Sequence, residues 1–176
     1  MKTGRVRRRD RAGFTLIEML IVIILLGILA AIIIPQVSVT TEDAKVSAVK
    51  SDLSSLRSAI ELYYVQHNSF YPGGKDITGG TPANAAAAAT AFVQQLSRYT
   101  AVTGAVSNTK DATYKYGPYV KGGALPANPY SDLTDVTCDI TQTDITVKSS
   151  AGATTGWKFY TLTGIFMASD GAHDAL

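Results

Sequence analysis

Cysteine is almost absent from this chain of 176 residues, since Cys138 is the only one. A single cysteine forbids an internal disulfide and excludes zinc motifs built on cysteine pairs. Histidine is nearly as scarce, and His67 and His173 are isolated from each other in the sequence. We interpret Cys138 as a small apolar filler and the two histidines as satisfied or exposed side chains. Such a domain must rely on its core, a bound ion or assembly for stability.

Sequence signatures of catalysis are lacking as well. The chain contains no glycine-rich phosphate loop, no nucleophile elbow and no zinc signature. It therefore predicts a protein that is not an enzyme and requires no cofactor. The length suits one modest domain with an extension and is too short for two ordinary domains.

Positive charge is concentrated at the beginning of the chain. The full sequence has a net charge of +2, but removing residues 1–13 leaves 10 basic and 13 acidic residues, a net charge of −3. The positive-inside bias predicts that this basic leader stays in the cytoplasm, and the pattern does not indicate nucleic-acid binding. The basic residues of the leader are Lys2, Arg5, Arg7, Arg8, Arg9 and Arg11.

A long apolar stretch follows the leader and carries one acid, Glu18, near its start. From Met19 to Ile34 it contains only Met, Leu, Ile, Val, Gly and Ala. Extended back to Phe14, the stretch spans about 32 Å as a helix, which is enough to cross a bilayer. We therefore predict a transmembrane helix over residues 14–35. A carboxylate among lipid-facing residues is unfavourable, so Glu18 needs a specific partner.

Three interpretations of this beginning are open. A removed signal peptide would need a pair of small residues at a cleavage site directly after the apolar stretch, and the sequence has no such pair there. A membrane anchor without processing leaves Glu18 unexplained. Cleavage between Gly13 and Phe14 would keep the apolar helix and create a new amino terminus that Glu18 of a neighbouring chain could bind. Glu18 could instead only complement the dipole at the start of its own helix.

The six residues from Gly13 to Glu18 read Gly-Phe-Thr-Leu-Ile-Glu and resemble the processing motif of type IV prepilins and type II secretion pseudopilins. The resemblance implies that a prepilin peptidase cuts after Gly13 and methylates the amine of Phe14. It implies that Glu18 is the acid used in assembly. Gly27 and Pro35 fall where the family often has a helix-loosening glycine and proline, so we expect a kink or local melting at Pro35.

The pattern after Pro35 becomes amphipathic and predicts that the helix continues to about residue 66. We expect a cleaved leader over residues 1–13, a transmembrane and assembly half of a helical spine over 14–35, an amphipathic half over 36–66, and a globular head over 67–176. The fold class is α+β and pilin-like, with a short antiparallel β-sheet in the head. The predicted packing stripe is Val46, Val49, Leu53, Leu56, Ile60 and Tyr63.

Three segments of the head carry structural signals. Residues 81–84 resemble a helix start before the alanine-rich residues 85–91, although a flexible link is the alternative. Alternation from Ile140 to Val147 suggests a strand. Residues 156–167 predict a hairpin that turns through residues 161–164, with Trp157, Phe159, Ile165 and Met167 on one face.

A proline-rich segment of the head distinguishes between the two groups of proteins that the first motif resembles. The segments Gly117-Pro118-Tyr119 and Pro126-Ala127-Asn128-Pro129 are similar to a loop of type II secretion protein G-like pseudopilins. This similarity favours a pseudopilin over a pilin.

Asp132, Asp135 and Asp139 are candidate calcium ligands in a predicted loop. Some major pseudopilins carry calcium in the corresponding region, which supports the candidates by resemblance. A solvated acidic loop is the alternative, and no metal ligand set is defined by the spacing.

The resulting functional hypothesis is a structural subunit of a helical pseudopilus in type II protein secretion. Implied partners are prepilin peptidase, identical subunits, minor pseudopilins, and an inner-membrane assembly platform with its ATPase. The predicted location is the bacterial inner membrane, with a cytoplasmic leader and a periplasmic head, and then the filament. Two alternatives are a type IV pilin forming a surface fibre for adhesion, motility or DNA uptake, and an unprocessed membrane-tethered binding module.

Overall fold

The computed structural model describes residues 13–149, 154–173 and 176, with only the backbone for residues 32–40. The chain divides into two compact units, residues 1–43 and 44–176. Residues 1–12 of the predicted leader lie outside the described residues. The elements, in chain order, are α1 (Leu16–Gln66), α2 (Ala85–Ser97), β1 (Tyr99–Thr100), β2 (Val106–Ser107), β3 (Val136–Asp139), β4 (Trp157–Tyr160) and β5 (Phe166–Ala168).

Helix α1 begins as predicted and continues through Gly27 and Pro35 without a break in the helical backbone. Neither residue ends the helix, and the kink expected at Pro35 stays a prediction. In the part of the chain that the structure describes, no helix meets the length and hydropathy needed to cross a membrane. The transmembrane half of the predicted spine is therefore not supported by the structure.

In the second unit, α1 packs one stripe of side chains into the core. Val49, Leu53, Leu56, Ile60 and Tyr63 are at most 2% exposed. Their three- and four-residue spacing places them on one face of the helix, as the sequence predicts. This amphipathic stripe is confirmed for these five residues, whereas Val46, its first predicted member, is only half-buried.

Helix α2 contributes Phe92 and Leu96 to this core and starts at the predicted position. Asn84 caps it, with its Oδ1 accepting the Ala87 N–H at 2.9 Å. Phe92 is fully buried, and its ring centroid lies 4.7 Å from that of Phe159 in β4. The alanine-rich segment is therefore a packed helix, and the flexible-link alternative is wrong.

The main sheet is mixed, which corrects the predicted antiparallel sheet. Its order is β3-β4-β5, with β3 parallel to β4 and β4 antiparallel to β5. A separate two-stranded antiparallel sheet joins β1 and β2. In the parallel pair, Val136 lies opposite Trp157 and Asp139 lies opposite Tyr160.

The strand predicted from Ile140 to Val147 is wrong, because aspartates direct this segment into turns. Asp139 Oδ1 accepts the Thr141 and Gln142 N–H groups at 2.9 and 3.0 Å. Asp144 Oδ1 accepts the Thr146 N–H at 2.8 Å. Local side-chain bonds of this kind compete with strand pairing. The true strand lies just before Ile140.

The predicted hairpin is confirmed with a different set of inward residues. Trp157 pairs with Ala168, and Phe159 pairs with Phe166. Directly paired residues share a sheet face, so Phe166 lies on the same face as Trp157 and Phe159. The sequence predicted Ile165 and Met167 on that face instead.

Buried Gln95 connects three loop carbonyls and one loop amide. Its Nε2 donates to the carbonyls of Lys75, Asp76 and Gly104 at 3.0, 3.3 and 2.8 Å. Its Oε1 accepts the Gly73 N–H at 2.8 Å. The side chain is fully buried, and so are its bonds to the Gly73 N–H and the Gly104 carbonyl. These two backbone groups therefore depend on Gln95 in a place that water does not reach.

His67, the residue directly after α1, connects the end of the helix to β1. It is buried and stacks on Tyr63, with ring centroids 3.7 Å apart. Nδ1 donates to the Tyr63 carbonyl at 2.8 Å, which leaves Nε2 to accept the Thr100 hydroxyl at 2.9 Å. Burial lowers the pKa of His67 from its ordinary value of 6.5, although hydrogen bonds to backbone groups oppose the shift.

We predict that Gln95→Leu lowers the free energy of unfolding of the head by about 3 kcal/mol, because it leaves the buried Gly73 N–H and Gly104 carbonyl unpaired. Fluorescence of Trp157, the only tryptophan, can follow chemical unfolding. Gln94→Leu on the neighbouring, half-buried position is the matched control and should change stability by less than about 1 kcal/mol. Equal effects of the two substitutions would contradict the role of Gln95.

We also predict that the head loses stability as the pH falls below about 6.5. The unfolded chain protonates His67 at its ordinary pKa, whereas the folded chain resists protonation, so acid favours unfolding. Thermal unfolding followed by Trp157 fluorescence between about pH 5.5 and 7.5 measures the effect. His67→Gln should flatten this dependence, and His173→Gln should retain it. An unchanged profile in His67→Gln would exclude the assignment.

Candidate functional site at the start of the first helix

Residues 13–15 precede α1 and are not helical. The first turn of the helix is closed by the Met19 N–H, which donates to the Thr15 carbonyl at 3.3 Å. Phe14 is 80% exposed and Leu16 is 93% exposed. The bond between Gly13 and Phe14 therefore lies in an accessible, non-helical segment just before the helix.

Thr15 and Glu18 form a reciprocal cap at this helix start. Glu18 Oε2 accepts both the Thr15 N–H and the Thr15 hydroxyl, each at 2.8 Å. The Glu18 N–H donates back to Thr15 Oγ1 at 3.3 Å. This is a capping box, in which two side chains satisfy N–H groups that the first turn leaves unpaired.

Gly13 and Gly27 have no requirement for glycine within a single chain. A Cβ built at either position meets nothing within 4 Å among the described atoms, and neither glycine has a positive φ. Neither local crowding nor backbone strain explains these residues. Within α1, Gly27 is unfavourable for helix stability by about 1 kcal/mol relative to alanine.

The helix after the cap exposes a continuous set of apolar side chains. Every large apolar residue between Leu16 and Leu29 is at least 44% exposed in the isolated chain. Such a surface is far larger than a soluble monomer usually leaves open. It needs lipid or neighbouring helices to cover it.

The predicted calcium ligands do not form a metal centre in the described chain. Asp132 and Asp135 are exposed, and the Asp139 carboxylate caps the turn that follows β3. Among the described residues, no group of three or more His, Cys, Asp or Glu side chains could hold a metal ion. A calcium site at these residues stays a prediction from the resemblance.

The proline-rich segment has a clear structural role in the head. Asn128 is fully buried, and its Nδ2 donates to the Gly156 carbonyl at 2.8 Å. The indole Nε1 of Trp157 donates to the Pro126 carbonyl at 2.8 Å. These bonds fix the loop against the start of β4.

Thr15 is the site residue that the sequence analysis missed. The sequence predicted Glu18 only as an acid near the helix dipole or as a partner for another chain. The signal was present, because a threonine followed three residues later by a glutamate before an apolar stretch is the capping-box pattern.

Comparison with known families identifies the class of this site. Residues 8–34 match the family described as the prokaryotic N-terminal methylation motif. The match includes Gly13, Phe14, Glu18 and Gly27, and it covers the exposed junction and the cap.

Comparison with curated proteins gives individual relatives of this chain. The chain is 42% identical to type II secretion system core protein G of Pseudomonas aeruginosa over 67 residues, which are 38% of this chain and 46% of that protein. For the Vibrio cholerae protein of the same name, the values are 35% over 66 residues, 38% and 44%. Type IV major fimbrial protein FimA of Dichelobacter nodosus is 44% identical over 78 residues, 44% of this chain and 47% of FimA.

The chain spans about half the length of the curated relatives it matches. No solved structure matches the chain. The matches to the methylation motif and to several core G proteins confirm the resemblance to the type IV pilin and pseudopilin family.

Proposed function

We propose that this protein is a structural subunit of a pseudopilus in type II protein secretion, without enzymatic activity. The observation that carries the proposal is the accessible Gly13–Phe14 junction inside the methylation motif, directly before a capped apolar helix. The relatives named core protein G support the secretion assignment.

The proposed first step is processing by a prepilin peptidase. Hydrolysis after Gly13 removes the basic leader and leaves Phe14 as the new amino terminus. The same enzyme then methylates this amine. The exposure of Phe14 and the space around Gly13 support access by an enzyme.

The proposed second step is assembly through Glu18. The carboxylate accepts the cationic amine of Phe14 from a neighbouring subunit, and the exposed apolar faces of α1 pack in a bundle. The amine adds the attraction of a full positive charge to its hydrogen bond with the carboxylate, which the neutral Thr15 groups cannot supply in a single chain. Head-to-tail contacts of this type produce an open filament and not a closed ring.

We propose that the precursor is held at the bacterial inner membrane by residues 14–35, with the leader in the cytoplasm and the head in the periplasm. The uncovered apolar side chains of α1 and the basic leader support this orientation. An assembly platform with its ATPase, minor pseudopilins and identical subunits are the proposed partners.

A type IV pilin is the second candidate, and the similarity to fimbrial protein FimA favours it. Long surface fibres at native expression would identify a pilin, whereas loss of secreted proteins on deletion would identify a pseudopilin. An unprocessed membrane-tethered binding module is the candidate from another class, and it predicts that residues 1–13 are retained.

We predict that the mature protein lacks residues 1–13 and carries one methyl group on Phe14. Intact-mass measurement of protein purified from cells that contain a prepilin peptidase tests this directly. Cells lacking the peptidase should yield the unprocessed chain and serve as the control. A mature mass that includes the leader would refute the proposed function.

We predict that Glu18→Gln is processed normally but fails to assemble. Glutamine can replace glutamate in a capping box, whereas it cannot pair with a cationic amine. Losing one member of a desolvated ion pair is unfavourable by about 3–5 kcal/mol. The yield of sheared filaments should therefore fall by about tenfold or more.

The matched control is Glu61→Gln, which makes the same change at an exposed position of α1 in the second unit. It should assemble like the unmodified chain. Normal filament yield from Glu18→Gln would remove the proposed role of the carboxylate.

A further inference from the structure

The Gly13–Phe14 bond lies only two residues before α1, so the exact start of the helix determines whether this bond is accessible. In a helix the backbone is engaged in its own hydrogen bonds, and cleavage needs an open segment. The structure places the boundary at Leu16, with residues 13–15 outside the helix.

The sequence before the boundary does not end a helix strongly by itself. Residues 7–12 read Arg-Arg-Arg-Asp-Arg-Ala, and arginine and alanine are among the best helix formers. Gly13 disfavours a helix by about 1 kcal/mol, which is a modest barrier. A second signal is needed to hold the boundary at Leu16.

The Thr15–Glu18 cap is such a signal. Glu18 accepts the Thr15 N–H, which in a longer helix would bond to the carbonyl of residue 11. The Thr15 hydroxyl accepts the Glu18 N–H. Without the hydroxyl, the first turn must satisfy its N–H groups in another way. An unpaired N–H at a helix start is unfavourable. Extending the helix backward over Phe14 and Gly13 gives these N–H groups carbonyl partners, and it is therefore the favoured solution.

We propose that Thr15 is a positioning residue for processing: its cap with Glu18 keeps the Gly13–Phe14 bond outside α1 and available for hydrolysis. The inference rests on the proposed function, since it assumes that a peptidase cuts this bond. In the reaction, water adds a hydroxyl to the Gly13 carbonyl carbon and a proton to the Phe14 nitrogen as their bond breaks. Thr15 takes no part in this exchange and acts through backbone geometry.

The experiment compares the rate at which membranes containing a prepilin peptidase cleave four full-length chains. These are the unmodified chain, Thr15→Val, Thr15→Ser and Thr15→Asn. Valine has the shape of threonine but cannot cap, whereas serine and asparagine differ in shape and cap at least as well as threonine. If capping controls cleavage, the valine variant is cleaved more slowly than the serine and asparagine variants. If the peptidase recognises the shape of the side chain directly, the valine variant is cleaved faster than the other two.

We expect Thr15→Val to be cleaved roughly three- to tenfold more slowly, and Thr15→Ser and Thr15→Asn to be cleaved at about the rate of the unmodified chain. Hydrogen exchange at the amides of residues 13–18 should show added protection only in Thr15→Val. Thr90→Val, the same change on α2, should alter neither readout.

Cleavage of Thr15→Val at the unmodified rate would overturn the inference, as would slow cleavage of Thr15→Ser and Thr15→Asn. Slow cleavage of Thr15→Val with faster exchange at residues 13–18 would overturn it too, because the helix would then have frayed. Failure of the unmodified chain to be cleaved would instead refute the proposed function, so the two failures are distinguishable.

Discussion

The carboxylate of Glu18 is the constraint on which the first unit depends, because it is a charged group at the start of a long apolar surface. An unpaired charge in such surroundings is unfavourable by several kcal/mol. In the single chain, Thr15 supplies both hydrogen bonds to Oε2 from its N–H and its hydroxyl. A filament would replace or supplement this neutral partner with a cationic amine. Assembly is then an exchange of partners at one carboxylate.

The second unit meets a different constraint, which is the lack of a disulfide. Its only cysteine, Cys138, is buried and free, and burial raises the pKa of its thiol to about 12. Instead of a disulfide, hydrogen bonds from buried polar side chains hold the loops together. Three of these side chains connect separate segments of the chain through buried hydrogen bonds: Gln95, His67 and Asn128. Networks of this kind specify one arrangement of the loops because a partly satisfied alternative would be unstable.

The sequence predicted the features that depend on local periodicity and missed those that depend on single polar side chains. The α1 stripe, the start of α2 and the hairpin follow from spacing and capping signals that act over a few residues. The parallel pairing of β3 with β4 could not be predicted, because it joins two strands that residues 140–156 separate along the chain, and no local pattern specifies such a pairing. The alternation from Ile140 to Val147 resembled a strand, but Asp139 and Asp144 offered the backbone better local partners.

For the site, the sequence identified Gly13, Phe14 and Glu18 through a resemblance, and it could not reveal what Glu18 does before assembly. That role became visible only from the bonds to Thr15. Gly13 illustrates the converse, since nothing described in the single chain requires a glycine there. Under the proposed function, one short motif would serve two molecules in turn, because the cap would leave a peptide bond open to a peptidase and the same carboxylate would then bind a neighbouring subunit.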